Sequence, residues 1–189
     1  MVLGLFLITP SQADDIRDFE IEGISIGDSL LDHFSAEDIK NNSPSYIYYD
    51  RITGEVNNDY VFFEKSDTNS FLIYDGMQIA IKSGDKKYII MGLTGLINIK
   101  EGCLSKKKEV EKEIMDSINI KNKWDDEPAP HPDDKSGKSL VYNSFLTTDG
   151  ANKATIKIAC FNWSEESSYI PHLRIGILTE EYFNWLETV

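Results

Sequence analysis

The sequence predicts an α+β fold, in which a long helix packs on an antiparallel sheet. Two groups of segments rich in β-branched and aromatic residues predict strands, and their short connections favour antiparallel pairing. Between the two groups, residues 101–119 carry apolar side chains at helical spacing, which is typical of a helix with one buried face. Short helices are expected near both ends of the domain.

The first helical signal lies in residues 23–42. We expect Asp28 to cap this helix, because a carboxylate there can accept from free backbone N–H groups. Ser35 and Asp38 resemble a capping box for a second short turn. The apolar face of the first turn would consist of Leu30, Leu31 and Phe34.

An antiparallel meander is predicted next. Ser83-Gly84-Asp85 joins two β-type segments and is a typical hairpin turn. Parallel strands would need crossovers of about a dozen residues or more, and these connections are shorter. The predicted strands are residues 46–52, 60–64, 71–82 and 88–100.

The second half of the chain is predicted to follow the helix with a loop and three more strands. Residues 122–137 contain three prolines and many acidic side chains, which favours an irregular loop over a strand or helix. The strands after it are expected at residues 138–147, 154–163 and 172–179, and a last helical turn at residues 180–187.

The first 13 residues are interpreted as a signal peptide. They combine an apolar stretch with a proline turn and small residues before Asp14, and the stretch is too short to span a bilayer. Residues 14–189 would then form a single domain, and the protein is expected to be periplasmic or secreted. No transmembrane segment is expected in the mature chain.

The net charge of −13 limits the classes of partner. Nucleic acid is excluded as a partner, because its binding requires lysine and arginine to neutralise phosphates. Anionic membrane surfaces are disfavoured for the same reason.

The two cysteines are expected to form a disulfide if the protein is exported. Alternation in residues 156–162 places Cys160 on an apolar face. Helical spacing places Cys103 on the same stripe as Val110, Ile114 and Ile118. Both thiols would therefore be buried, either as a bridge or as two free thiols.

Gly27-Asp28-Ser29-Leu30 resembles the signature of the GDSL family of serine esterases. The resemblance implies that Ser29 could be a nucleophile, with His172 or His131 as its base. The preceding segment alternates with charge, unlike the buried parallel strand of that family, and the family's Asp-x-x-His motif is absent. We therefore interpret the match as fortuitous and prefer a helix start.

The acidic segment offers a second candidate site. A hard cation such as calcium binds several oxygens that converge from a tight loop. The spacing of an EF-hand is missing, so a solvated linker is the preferred interpretation. Its candidate ligands are Asp125, Asp126, Asp133 and Asp134, with Glu127 and His131 nearby. No cofactor is expected, because phosphate-binding loops, zinc-ligand spacing and nucleotide motifs are missing from the sequence.

Aromatic residues are concentrated in the first meander. Alternation sends some of them to each face of the sheet, so they form cross-strand pairs or a recognition surface for a protein or a carbohydrate. These residues are Tyr46, Tyr48, Tyr49, Tyr60, Phe62, Phe63, Phe71 and Tyr74.

Residues 18–42, the aromatic strands, residues 88–100 and the cysteine that begins the long helix together resemble a group of uncharacterised short exported proteins of marine alphaproteobacteria. The resemblance implies export and assigns no activity and no site residue. The leading hypothesis is an exported, non-enzymatic interaction or binding protein. The alternatives are a serine hydrolase that uses Ser29 and a binding module that depends on a divalent cation.

Overall fold

An eight-stranded antiparallel sheet forms the framework of the protein, in a computed structural model that describes residues 16–66, 71–148 and 153–189. The order across the sheet is β1-β2-β3-β8-β7-β6-β4, and the short β5 also pairs with β6. The expected signal peptide at residues 1–13 lies outside the described residues. The strands are β1 Tyr60–Lys65, β2 Gly76–Lys82, β3 Ile90–Asn98, β4 Ile120–Asp125, β5 Ala129–Pro130, β6 Leu140–Thr148, β7 Ala154–Asn162 and β8 His172–Thr179.

Three α-helices accompany the sheet in the described ranges. They are α1 Ala36–Asn41, α2 Cys103–Ser117 and α3 Glu180–Leu186, and two 3-10 turns lie at Ile16–Asp18 and Leu30–Asp32. None of the helices in this part of the chain is long and apolar enough to cross a membrane. The predicted α+β class with an antiparallel sheet is confirmed.

The main core lies between one face of the sheet and a layer formed by α2 and residues 16–39. Val110 and Ile114 of α2 are fully buried, as the predicted apolar stripe requires. Because side chains alternate along a strand, every second residue of the central strands faces this layer. These core residues include Ile79, Leu93, Ile156, Ile158, Ile175 and Ile177.

The other face of the sheet is covered by α3 only in part. Tyr182 of α3 lies directly over Gly92 of β3, where an added Cβ atom would stand 2.3 Å from the tyrosine ring. A glycine at this position therefore lets the short helix approach the sheet. Tyr182 and Trp185 pack there with Tyr60, Phe62 and Leu178.

The meander prediction is correct for β1 to β3 and wrong for residues 46–52, and β6 to β8 also pair in chain order. The neighbour of β3 on its other side is β8, so the last strand inserts between the two halves of the chain. Residues 46–52 form only the isolated bridge between Tyr49 and Val56. They pack with the end of the chain instead, since the Arg51 backbone N–H donates to the carbonyl of Thr188 at 2.7 Å.

The acidic segment at residues 122–137 is not wholly a loop, because it contributes part of β4 and all of β5. Trp124 stacks on Phe145 of β6 with ring centroids 5.1 Å apart. Lys123, on the opposite face, pairs with Glu111 of α2 at 3.2 Å. These contacts hold β4 at the edge of the sheet, although its residues are too polar for a strand to be predicted from the sequence.

The first helical region begins differently from the prediction. Ser29, not Asp28, caps the 3-10 turn by accepting from the backbone N–H of Leu31. Ser35 caps α1 by accepting from the N–H of Asp38, as the capping-box pattern predicts.

The Cys103–Cys160 disulfide is confirmed. It joins the first residue of α2 to β7, with Cα atoms 5.9 Å apart and the two cysteines 57 positions apart in the sequence. A covalent bond therefore fixes the start of the long helix to the middle of the sheet.

We expect the Cys103→Ala and Cys160→Ala double variant to lose about 4 kcal/mol of unfolding free energy, because opening a loop of this length restores entropy to the unfolded chain. Urea denaturation measures the loss. Reduced wild-type protein is the matched control and should show a similar loss. Equal stability of the oxidised wild type and the double variant would contradict the expectation.

Candidate functional site

A row of side chains crosses the sheet on the face that carries α3. Its members are cross-strand partners, so they stand side by side. In order from the β1 edge they are Glu64, Gln78, Thr94, Gly176, Lys157, Phe145 and Trp124. The middle of the row is polar and contains a glycine, and α3 leaves this part of the sheet uncovered.

A groove follows this row. One depression of about 140 Å³ lies beside α3 and is lined by Lys157, Phe161, Arg174 and Leu186, among others. A second depression of about 230 Å³ continues it towards β1, and Gln78, Thr94 and Arg174 line both. The space exists because Gly176 and Ala159, the residues between these side chains, are small.

Arg174 is held over the groove by two contacts. Its Nε donates to Nε2 of His172 at 3.2 Å, and its guanidinium carbon lies 4.7 Å from the centre of the Phe161 ring. Nδ1 of His172 lies 2.8 Å from the carbonyl oxygen of Ile170, so Nδ1 carries the proton and Nε2 is the acceptor. Burial lowers the pKa of His172, which favours this neutral form.

Lys157 supplies the second positive charge of the groove. Its ammonium nitrogen lies 5.5 Å from the centre of the Phe145 ring. Burial lowers the pKa of Lys157, and the positive charge of Arg174 lowers it further against the opposing effects of Asp126 and Glu187. Among the described residues, no carboxylate oxygen lies within 4.0 Å of the charged nitrogens of Lys157 or Arg174.

Glu64 marks the opposite end of the groove. Its carboxylate accepts hydrogen bonds from the hydroxyl of Tyr46 at 2.8 Å and from the amide nitrogen of Gln78 at 2.5 Å. Burial and the bond to Glu64 raise the pKa of Tyr46 to about 12. The groove is therefore negative at the β1 end and positive over β7 and β8.

Two aromatic clusters flank the groove. Near α3, Trp185 donates from Nε1 to the side-chain oxygen of Asn57 at 2.8 Å and lies 5.2 Å from the ring of Tyr48. At the other end, Trp163 packs 4.5 Å from Tyr169 and 4.4 Å from His131, centroid to centroid. Of the aromatic residues expected in the first meander, Tyr46, Tyr48, Tyr60 and Phe62 pack near α3 without lining the groove, whereas Phe63 and Tyr74 belong to the main core.

Ser29 lies away from the groove, and its hydroxyl is committed to the backbone. The Oγ atom donates to the carbonyl of Lys87 at 2.8 Å and accepts from the N–H of Leu31 at 3.3 Å. The structure does not bring Ser29 together with His172 or His131, both of which belong to the aromatic cluster around Phe161.

The four acidic candidates make separate contacts. Asp125 accepts from the hydroxyl of Ser144, which lowers its pKa, and pairs with Lys123 at 3.1 Å. Asp126 accepts from the side-chain amide of Asn143 at 3.3 Å.

The other two candidates organise the following turn. Asp133 donates from its backbone N–H to Nδ1 of His131 at 3.2 Å. The carboxylate of Asp134 accepts from the backbone N–H groups of Ser136 and Ser139, each at 2.9 Å, and the Ser139 hydroxyl is the main cause of its lowered pKa. In the described part of the chain, no three histidine, cysteine or acidic side chains form a group that could hold a metal ion.

A buried polar cluster lies on the other face, beneath α2. Lys107 pairs with Glu111 at 2.5 Å and donates to the hydroxyl of Ser144. Ser144 is fully buried, and Lys107 is neutralised by a carboxylate beside it. The cluster therefore joins α2 to β6 and offers no access to a substrate.

Lys157 and Arg174 were not singled out in the sequence. Each stands alone between apolar residues of a strand, Lys157 between Ile156 and Ile158, and this pattern is typical of a half-buried strand with its polar side in water. The sequence shows each charged residue among apolar ones, but only the pairing of β7 with β8 shows that the two charges are neighbours.

We compared the chain with protein-family models, curated proteins and solved structures, and found no significant match in any of them. The resemblance to short exported proteins stays a prediction.

We expect His172 to make the protein less stable as the pH falls. Below about pH 6.5 the unfolded chain takes up a proton on this histidine that the folded chain, with its lowered pKa, resists. The free energy of unfolding should therefore decrease from about pH 6.5 down to the lower pKa of the folded state. Urea denaturation at a series of pH values measures it.

The His172→Gln variant should lose this pH dependence, and His33→Gln is the control that should keep it. An unchanged pH profile in His172→Gln would contradict the expectation.

We also expect that a fluorophosphonate probe does not label Ser29, because the hydroxyl proton is directed at the carbonyl of Lys87 and no imidazole accepts it. Mass spectrometry of the folded protein after treatment gives the result, with an active serine esterase as the positive control. Labelling that disappears in Ser29→Ala would show an activated nucleophile.

Proposed function

We propose that this is an exported, non-enzymatic binding protein that takes a small ligand in the groove over β3, β7 and β8. The observation that carries the proposal is the groove itself, which combines fixed charges, polar donors and apolar walls in one place. Sites for small molecules are typically concave and mostly apolar, with a few placed polar groups.

The floor of the groove supports this proposal because it is rigid. Gln78, Thr94, Lys157 and Arg174 all project from strands in the middle of the sheet. Groups on paired strands are positioned more accurately than groups on loops, so the groove needs little rearrangement to bind.

The apolar and aromatic side chains in the walls of the groove support ligand binding, because they can contact an apolar or planar part of the ligand. Tyr182 and Leu186 of α3 line one wall and Phe161 lines another. The expected recognition of a carbohydrate or protein through aromatic residues would use the same surroundings, but the small volume of the groove favours a small molecule or one end of a larger one.

Export is supported by two features. The disulfide is typical of proteins that fold in an oxidising compartment. The apolar residues at the start of the chain have the pattern of a signal peptide.

Filling the groove should abolish binding. We expect wild-type protein to bind the neutral dye N-phenyl-1-naphthylamine with a rise in fluorescence, because the apolar walls exclude water from it. The Thr94→Tyr variant should lose at least about tenfold in affinity, since the ring would occupy the space over Gly176, and each tenfold corresponds to about 1.4 kcal/mol.

Thr147→Tyr is the matched control, because it makes the same substitution in β6 at a half-buried position outside the groove. Circular dichroism and thermal melting show whether each variant is folded. Equal dye binding by the wild type and a folded Thr94→Tyr variant would overturn the proposal.

A further inference from the structure

Two half-buried cations without a carboxylate partner are unusual in a chain so rich in acids. The protein has 32 aspartate and glutamate residues and only 19 lysine and arginine residues. Other lysines pair with carboxylates, as the half-buried Lys106 does with Glu109 at 2.8 Å and the exposed Lys112 with Asp116 at 3.3 Å. Lys157 and Arg174 lie in the groove, where pairing would matter more, and they contact rings and a neutral imidazole instead.

The pairing of β7 with β8 places the two charges close together. Lys157 lies opposite Gly176 and Arg174 lies opposite Ala159, so the two cations are diagonal neighbours on one face. Diagonal neighbours are about 7–8 Å apart at the backbone, and long side chains there can reach a common group. No described carboxylate lies within 4.0 Å of either charge, and Glu64 acts on Arg174, and Asp126 and Glu187 on Lys157, only at longer range.

We propose that the groove binds an organic anion whose acidic group lies between Lys157 and Arg174 and whose apolar body lies along Phe161 and Leu186. This inference rests on the proposed function, because it names the class of ligand for the same groove. The acidic group is a carboxylate or a phosphate, since arginine binds either one with two parallel hydrogen bonds and lysine binds either as a point charge.

The contacts of Arg174 prepare it for such a ligand. Nε2 of His172 accepts the hydrogen bond from Nε–H, and the guanidinium carbon lies 4.7 Å from the centre of the Phe161 ring, so the terminal nitrogens remain as donors for the groove. A guanidinium fixed in this way loses little freedom on binding.

The rest of the groove sets the direction of the ligand. Glu64 repels an anion from the β1 end, whereas the Thr94 hydroxyl and the second amide N–H of Gln78, which the bond to Glu64 leaves over, are donors along the middle. The apolar walls formed by Tyr182, Leu186 and Phe161 lie beside the two cations. The charged group therefore belongs at β7 and β8, with the apolar body next to it.

Isothermal titration calorimetry with octanoate, octyl phosphate and octanol tests the proposal on the full chain. The three probes share an apolar body and differ in the head group. We expect the wild type to bind at least one of the two acids about tenfold or more tightly than octanol, because hydrogen bonds to charged groups are the strong ones. Tighter binding of octyl phosphate would identify a phosphate ligand, and tighter binding of octanoate a carboxylate ligand.

Substitutions locate the binding energy. Lys157→Gln and Arg174→Gln should each weaken binding of the preferred acid about tenfold or more and leave octanol binding within about twofold. Lys157→Met, which keeps an apolar stem against Phe145, is a second variant should the first not fold. Lys153→Gln is the matched control, since it removes the same charge from the residue just before β7.

Two results would overturn the inference. If octanol binds as tightly as both acids, the groove binds ligands but does not select anions. The inference is then wrong, and the proposed function is unaffected. If all three probes fail to bind the folded protein, the inference is wrong, and if the neutral dye fails to bind as well, the proposed function is wrong too.

Discussion

The packing of α2 on one face of the sheet is the constraint on which the rest of the structure depends. The disulfide holds the start of this helix to β7, and the buried pair of Lys107 and Glu111 joins its middle to Ser144 of β6. The segment before β1 covers the other half of this face, where Phe34 packs 4.6 Å from Phe63 of β1 and the Gly27 N–H donates to the carbonyl of Ile90 at 2.9 Å. The other face is left to α3, a helix of seven residues that cannot cover eight strands, and the groove is the part that it leaves open.

The sequence predicted the features that depend on local periodicity. The stripe from Cys103 to Ile118 predicts both α2 and its buried face, and the alternation around Cys160 predicts that the two thiols can meet. Features that depend on distant contacts were missed. The segment at residues 122–137 forms β4 because Trp124 stacks on Phe145 and Lys123 reaches Glu111, and neither contact is visible in its composition.

The candidate site could not be predicted for a related reason. Lys157 and Arg174 are 17 positions apart in the chain and become neighbours only because β7 pairs with β8 in one register. The two candidate motifs in the sequence, residues 27–30 and the acidic segment, are each short and contiguous. In the structure, the hydroxyl of Ser29 serves a turn, and the aspartates of the acidic segment serve β4 and the turn that follows β5.

The most direct test of the account is a map of chemical-shift changes in the ¹H–¹⁵N spectrum of the protein during titration with octyl phosphate or octanoate. We predict that the largest changes fall on β3, β7, β8 and α3, centred on the residues around Gly176. Changes confined to the acidic segment or to residues 46–59, with the groove unaffected, would contradict it.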